Sequence, residues 1–194
     1  TRNPAFRGHG WNEWPLQTTS YRAGLTRLER YYEEELVQFK HHAEATMGIA
    51  FDMSNGNDYA TLLGLAQHHG LPTPLLDFTS SPYVAAYFAF ADAIENKRAA
   101  EGFVRVYALD GNFLSQFAPA LVPIATVEPY IASLTISARH NPRLYAQQGK
   151  FLVTNVGNLE RWLIGMRTLN GVEKDFLFVA DVPINCAAEA LTDL

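Results

Sequence analysis

Apolar positions between residues 28 and 47 recur at steps of three and four. Leu28, Tyr32, Leu36, Phe39, Ala43 and Met47 fall on one helix face, with Gly48 as the stop. Tyr31 and Tyr32 read as core on this helix. Glu33 to Glu35, a solvated face, precede Lys40, His41 and His42 in the order the helix dipole favours. A second helix is predicted over "DYATLLGLAQHHG", capped by Asn57 or Asp58 and ended by Gly70, with Tyr59, Leu62, Leu63 and Ala66 buried. Pro72 and Pro74 forbid its continuation, so "LLDF" reads as a short strand. Ser81 before Pro82 is a capping hydroxyl followed by proline at the first helical position, and it opens a third helix. From Val84 to Ala91 that helix carries no charged or strongly polar residue on any side. The pattern predicts burial on most faces, with Phe88 enclosed.

The second half changes period. "FVRVYAL", "LVPIATV", "KFLVTNV" and "DFLFVADVPI" are β-branched or aromatic runs separated by turn residues, and they predict strands. One helix, "NLERWLIGMRTL", interrupts them with Asn158 as cap, and "NCAAEALTDL" predicts a last helix capped by Asn185. The expected class is α+β, with helices packed on one or two small, mainly antiparallel sheets in one domain over 1–194.

Composition narrows the class of protein. The 194 residues are 48% hydrophobic and 18% charged, the balance of a globular chain. A formal charge of −5 argues against non-specific nucleic-acid binding. The single cysteine, Cys186, cannot close an internal disulfide, and no apolar run is long enough to span a membrane. With no signal-peptide pattern at the N-terminus, a cytoplasmic protein without a membrane partner is expected.

Candidate chemistry concentrates at residues 66–90. The entrance of the third helix gathers Asp77, Thr79, Ser80 and Ser81 where backbone N–H groups point outward, a natural seat for an anion or a polar ligand. Thr79 to Ser81 read equally well as a simple helix cap. Asp77 either serves a ligand, or accepts N–H bonds from the turn or pairs with Arg22. Adjacent helical histidines diverge by about 100°, so His68 and His69 cannot share one metal ion, and no metal site is predicted. His69, beside Gly70, is the one expected to reach a pocket.

The stretches "FRGHG" at 6–10, "FK" at 39–40, "LAQHHGLPTPLLDFTSSPYVAAYFAF" at 65–90 and "AQQGKF" at 146–151 resemble the FRG domain family, named for the Phe-Arg-Gly that is here Phe6, Arg7 and Gly8. Members of the family often carry a basic residue where this chain has Pro74 and tryptophan where it has Phe78. The resemblance implies a C-terminal end truncated at Leu194 and an ADP-ribosyltransferase-like fold. It also implies NAD as substrate, in a bacterial toxin or phage-defence effector that transfers ADP-ribose to an unidentified acceptor macromolecule or hydrolyses NAD.

Cleavage of NAD passes through an oxocarbenium-like transition state, which hydrogen bonds to the ribose hydroxyl stabilise. Under the resemblance Gln148 or Asp77 supplies that acceptor. Arg7 contacts phosphate or ribose, with Gly8 allowing close backbone approach. His69, Thr79 and Ser80 bind the nucleotide, and Tyr87, Phe88 or Phe151 walls the nicotinamide. Arg7, His69, Asp77, Thr79 and Gln148 should then line one cleft. Related transferases use a late glutamate where this chain has Gln147 and Gln148, which favours the alternative, a catalytically silent nucleotide- or protein-binding module.

Overall fold

The computed structural model describes residues 3–98, 101–116, 128–134, 149–169 and 175–193. Six strands form one sheet: β1 (Ala5–His9), β2 (Leu75–Thr79), β3 (Phe103–Leu109), β4 (Ile131–Leu134), β5 (Gly149–Thr154) and β6 (Leu177–Pro183). Their order is β4-β5-β2-β1-β3-β6, and every neighbouring pair is antiparallel. The helices are α1 (Thr19–Arg22), α2 (Leu28–Arg30), α3 (Leu36–Met47), α4 (Gly56–His68), α5 (Pro82–Glu95), α6 (Gly111–Gln116), α7 (Leu159–Leu169) and α8 (Ala187–Asp193). The fold is α+β. None of its described helices is long and apolar enough to cross a membrane.

Strand alternation distributes two cores. In β2, Leu75 packs with Leu62, Leu63 and Ala66 of α4 and with Phe151 and Val153 of β5. Its neighbours Leu76 and Phe78 point the other way, onto Leu152, Leu159 and Leu163. The same alternation in β1 sends Ala5 to that second core and presents Gly8 to α5. A third cluster joins Ala89, Phe90 and Ala93 of α5 to Val104 of β3 and to Ile184 and Ala187.

Several expectations need correction. Residues 28–47 are helical throughout, but a π-helical turn at Tyr31–Glu35 separates α2 from α3. The wider turn brings residues five apart into line, so Tyr31 and Leu36 are both fully buried. Gly48 stops α3 in the left-handed region, at φ 66°. Asn55, not Asn57 or Asp58, caps α4, its side chain accepting from the N–H groups of both later residues. At the C-terminal end a short 3-10 turn, Ile184–Cys186, takes the place of an Asn185 cap. Asn158 does cap α7, accepting from Arg161 N at 3.0 Å. β4 was not foreseen, and the strand expected over "LVPIATV" lies outside the described residues.

The largest correction concerns α5. Ser81 caps it as expected, its hydroxyl accepting from Val84 N. The helix is not enclosed, however. Tyr83 is 67% exposed, Tyr87 51%, Phe88 42% and Ile94 53%. Ala85, Ala89 and Ala93 face the sheet instead, and small side chains at every fourth residue let the helix axis come close to β1 and β3. The reason sits in the strand. A Cβ built on Gly8 would lie 2.0 Å from the carbonyl oxygen of Ala85 and 2.9 Å from Ala89 Cβ. Gly8 is therefore where helix backbone meets strand backbone.

Candidate functional site

β1 and β2 share a single registered pair, Phe6 with Thr79. Past it the two strands part, and a cleft of about 450 Å³ opens along the gap, bounded by α4 on one side and α5 on the other. Its lining includes Arg7, His9, Trp14, Arg22, Gln67, His68, Asp77, Thr79, Phe88 and Phe151. The volume falls within the ordinary range for small-molecule sites.

Arg7 bridges the gap. Its Nη1 donates to the backbone carbonyl of Asp77 at 2.6 Å, across the place where the ladder lapses. Its Nε donates to His9 Nε2 at 3.1 Å, and the Nη2 amino group has no partner among the described residues. Burial lowers the Arg7 pKa, the Asp77 carboxylate opposes that shift, and the Arg22 charge adds to it. A guanidinium nonetheless stays charged. His9 is the reverse case. It is 5% exposed, and burial together with the charges of Arg7 and Arg22 holds its pKa at about 3. Neutral at ordinary pH, it can accept from Arg7 through Nε2. The His9 ring stands edge-on to Tyr107, with centroids 5.1 Å apart.

Asp77 is exposed on the cleft floor, paired across the ladder with Phe151. Its carboxylate meets neither Arg22 nor the turn. Gln67 of α4 donates its Nε2 to both oxygens, at 2.5 and 2.6 Å. The amide is oriented from behind, because Gln67 Oε1 accepts from the hydroxyl of Thr73 at 2.7 Å. Thr73 is itself locked to α1: its N donates to Thr19 Oγ1 at 2.8 Å, and its carbonyl accepts from that hydroxyl at 3.0 Å. A polar chain thus runs from α1 to the carboxylate and leaves each Asp77 oxygen with lone pairs to spare.

The structure brings Arg7, Gly8, Asp77, Thr79 and Phe151 to this cleft and leaves other candidates outside its lining. His68 lines it rather than His69. The two rings diverge along α4, and His69 turns to Phe39, with centroids 6.1 Å apart. Tyr87 projects outward from α5, and Phe88, one helical step of about 100° away, lines the cleft instead. Ser80 is exposed outside the lining. Thr79 is 5% exposed, and its hydroxyl accepts from Ser81 N at 3.1 Å, so it also organises the entrance to α5. Gly8 lines the cleft, and its missing side chain is also what lets α5 approach β1. Gln148 lies outside the described residues.

Sequence reasoning overlooked Trp14 and Gln67 and treated Arg22 only as a possible partner for Asp77. Gln67 stands inside the quoted "AQHHG", where the histidines drew the attention. Trp14 carries no positional signal, since its role depends on Arg98 stacking 4.7 Å from its ring behind the cleft. Among the described residues, no group of three His, Cys, Asp or Glu side chains is arranged to hold a metal ion.

No curated protein and no solved structure matches the chain. The family model of the FRG domain matches residues 2–98, a span holding β1, β2, α4, α5 and nearly all of the cleft lining. Half of the chain is covered, with the Phe-Arg-Gly at the junction of helix, strand and cleft. The chain belongs to the FRG domain family.

Proposed function

We propose that the cleft binds NAD and cleaves it, as an ADP-ribosyltransferase or NAD glycohydrolase with an ADP-ribosyltransferase-like arrangement, acting as a bacterial toxin or phage-defence effector. One observation carries the reading. A carboxylate with spare lone pairs and a guanidinium with an unspent amino group share one cleft beneath aromatic side chains. In cleavage the bond between ribose C1′ and the nicotinamide nitrogen breaks, and its electron pair leaves with neutral nicotinamide. Water or an acceptor nucleophile adds to C1′ and gives up a proton. Asp77 accepts from a ribose hydroxyl, a bond that strengthens as positive charge develops on the sugar. Arg7 binds phosphate through Nη2. Phe88 and Phe151 flank the nicotinamide, and Gln148 stays the alternative acceptor to Asp77.

A specific observation favours a second reading. The exposed stripe of Tyr83, Tyr87 and Ile94 on α5 suits a protein partner, as a silent nucleotide- or protein-binding module would need. Incubation with NAD decides between the two. The enzyme reading expects a higher melting temperature with NAD and release of free nicotinamide. Stabilisation without release supports the silent module, and no effect of NAD on either readout refutes NAD as the ligand.

A further inference from the structure

The charges around the cleft are unevenly committed. Of its two acids, Asp77 already takes the Gln67 amide on both oxygens. Asp92 accepts from Asn96 Nδ2 at 3.0 Å through Oδ1, while its Oδ2 is buried against Gly10, where a Cβ would lie 1.9 Å away. The cations are in the opposite condition. Neither Arg7 nor Arg22 forms a salt bridge among the described residues, whereas Arg30 pairs with Glu34 and Arg105 with Asp181.

Arg22 is exposed at the cleft rim and its side chain has no hydrogen-bond partner among the described residues. Its backbone is nevertheless firmly placed. It ends α1, whose N-terminus Thr18 caps. Ser20 N donates to the Thr73 carbonyl at 3.0 Å, and Tyr21 OH donates to the Asn155 carbonyl at 2.5 Å. Its charge acts on both Arg7 and His9. An anchored backbone carrying an uncommitted guanidinium, in the same cleft as a second guanidinium with a free Nη2, leaves spare N–H donors on two cations that no carboxylate pairs directly among the described residues.

We infer that Arg7 and Arg22 form a receptor for two linked anionic groups, so that the cleft takes diphosphate-bridged ligands in preference to monophosphates. Arg7 holds one phosphoryl group at the floor and Arg22 the other at the rim. His9, being neutral, adds no third charge. The inference rests on the nucleotide reading of the cleft and assigns to Arg22 a task that reading did not give it. Planar guanidinium forks suit phosphate oxygens, and a lysine cannot reproduce their paired donors.

The test is equilibrium binding by calorimetry with four probes: inorganic phosphate, inorganic pyrophosphate, AMP and ADP-ribose. Pyrophosphate and ADP-ribose should bind at least tenfold more tightly than phosphate and AMP, and that preference should weaken with added salt. Arg22→Gln should lower pyrophosphate and ADP-ribose affinity about tenfold without changing the melting temperature, because the side chain is exposed. Arg22→Lys should recover only part of the loss. Arg161→Gln, at an exposed arginine outside the cleft, should behave as the parent. Pyrophosphate binding that is absent, or equal in the parent and Arg22→Gln, overturns the receptor. Diphosphate binding without nicotinamide release refutes the enzymatic reading alone and leaves the receptor standing.

Discussion

Replacing Gly8 by alanine adds one methyl group where the backbone of α5 lies against β1. The new Cβ would lie 2.0 Å from the Ala85 carbonyl oxygen, 2.9 Å from Ala89 Cβ and 3.0 Å from the Ala85 carbonyl carbon. Ordinary van der Waals contact begins near 3.4 Å, so helix and strand must part by about 1.4 Å. Two of the three blocking atoms are backbone, and no rotamer change relieves them. Gly8 does not have a positive φ, so the effect is steric and not conformational. Overpacking of this kind costs about 3 kcal/mol, the upper end of the usual range. In a chain of this size that corresponds to a fall of about 6–12 °C in melting temperature. Gly165→Ala is the paired control. Gly165 sits within α7 with nothing within 4 Å of its added Cβ, and alanine there should stabilise by about 1 kcal/mol. Thermal unfolding followed by circular dichroism reads both variants. A Gly8→Ala protein melting within about 2 °C of the parent would refute the packing explanation of the motif's glycine.

Three further outcomes follow from the geometry. Phe90→Ala, at a side chain 2% exposed, should cost about 3–5 kcal/mol, whereas the half-exposed Phe88→Ala should cost about 1 kcal/mol, and equal urea midpoints would contradict the orientation of α5. Asp77→Asn should melt within about 1 kcal/mol of the parent, since an exposed carboxylate held by an amide is lost, while NAD cleavage falls tenfold or more, a barrier increase of about 1.4 kcal/mol; unchanged cleavage would place the acceptor elsewhere. His9 takes up its proton at a pH of about 3 when folded and about 6.5 when unfolded. The unfolded chain therefore binds more protons in that window, and stability present above pH 6.5 is lost as the pH falls through it. Between pH 7 and 5 the loss is about 2 kcal/mol. His9→Gln, which can still accept from Arg7, should lack this component, and an unaltered pH dependence in urea titrations would assign it to other groups.

Elements with strong local signals were legible in the sequence. Gly48, Asn158 and the Ser81-Pro82 pair marked helix ends through backbone chemistry that needs no tertiary partner. Leu62, Leu63 and Ala66 announced the buried side of α4 by spacing alone. What could not be read was relative placement. An all-apolar α5 suggested enclosure because hydrophobicity outweighed size, although the alanine repeat at 85, 89 and 93 already held the answer. Small residues marked the side that could approach a glycine-bearing strand. In the cleft, Arg7 and Asp77 were visible as isolated polar residues in apolar surroundings. Gln67 and Thr73 were not, because their importance lies in a chain of donors and acceptors that only the fold assembles. His68 and His69 differed by one helical step, too little for sequence to arbitrate.

The single rung between β1 and β2 has a mechanical side. It divides the sheet into two three-stranded blades, β4-β5-β2 and β1-β3-β6, each fully laddered within itself. The backbone pair Phe6–Thr79 then acts as a hinge pin, and the contact from Arg7 to the Asp77 carbonyl is the latch beside it. Amide hydrogens flanking the gap should exchange with solvent sooner than those at the centres of β3 and β5. A ligand gripping Arg7 from one blade and Asp77 from the other would slow that exchange on both at once, so occupancy of the cleft would set the stiffness of the whole sheet.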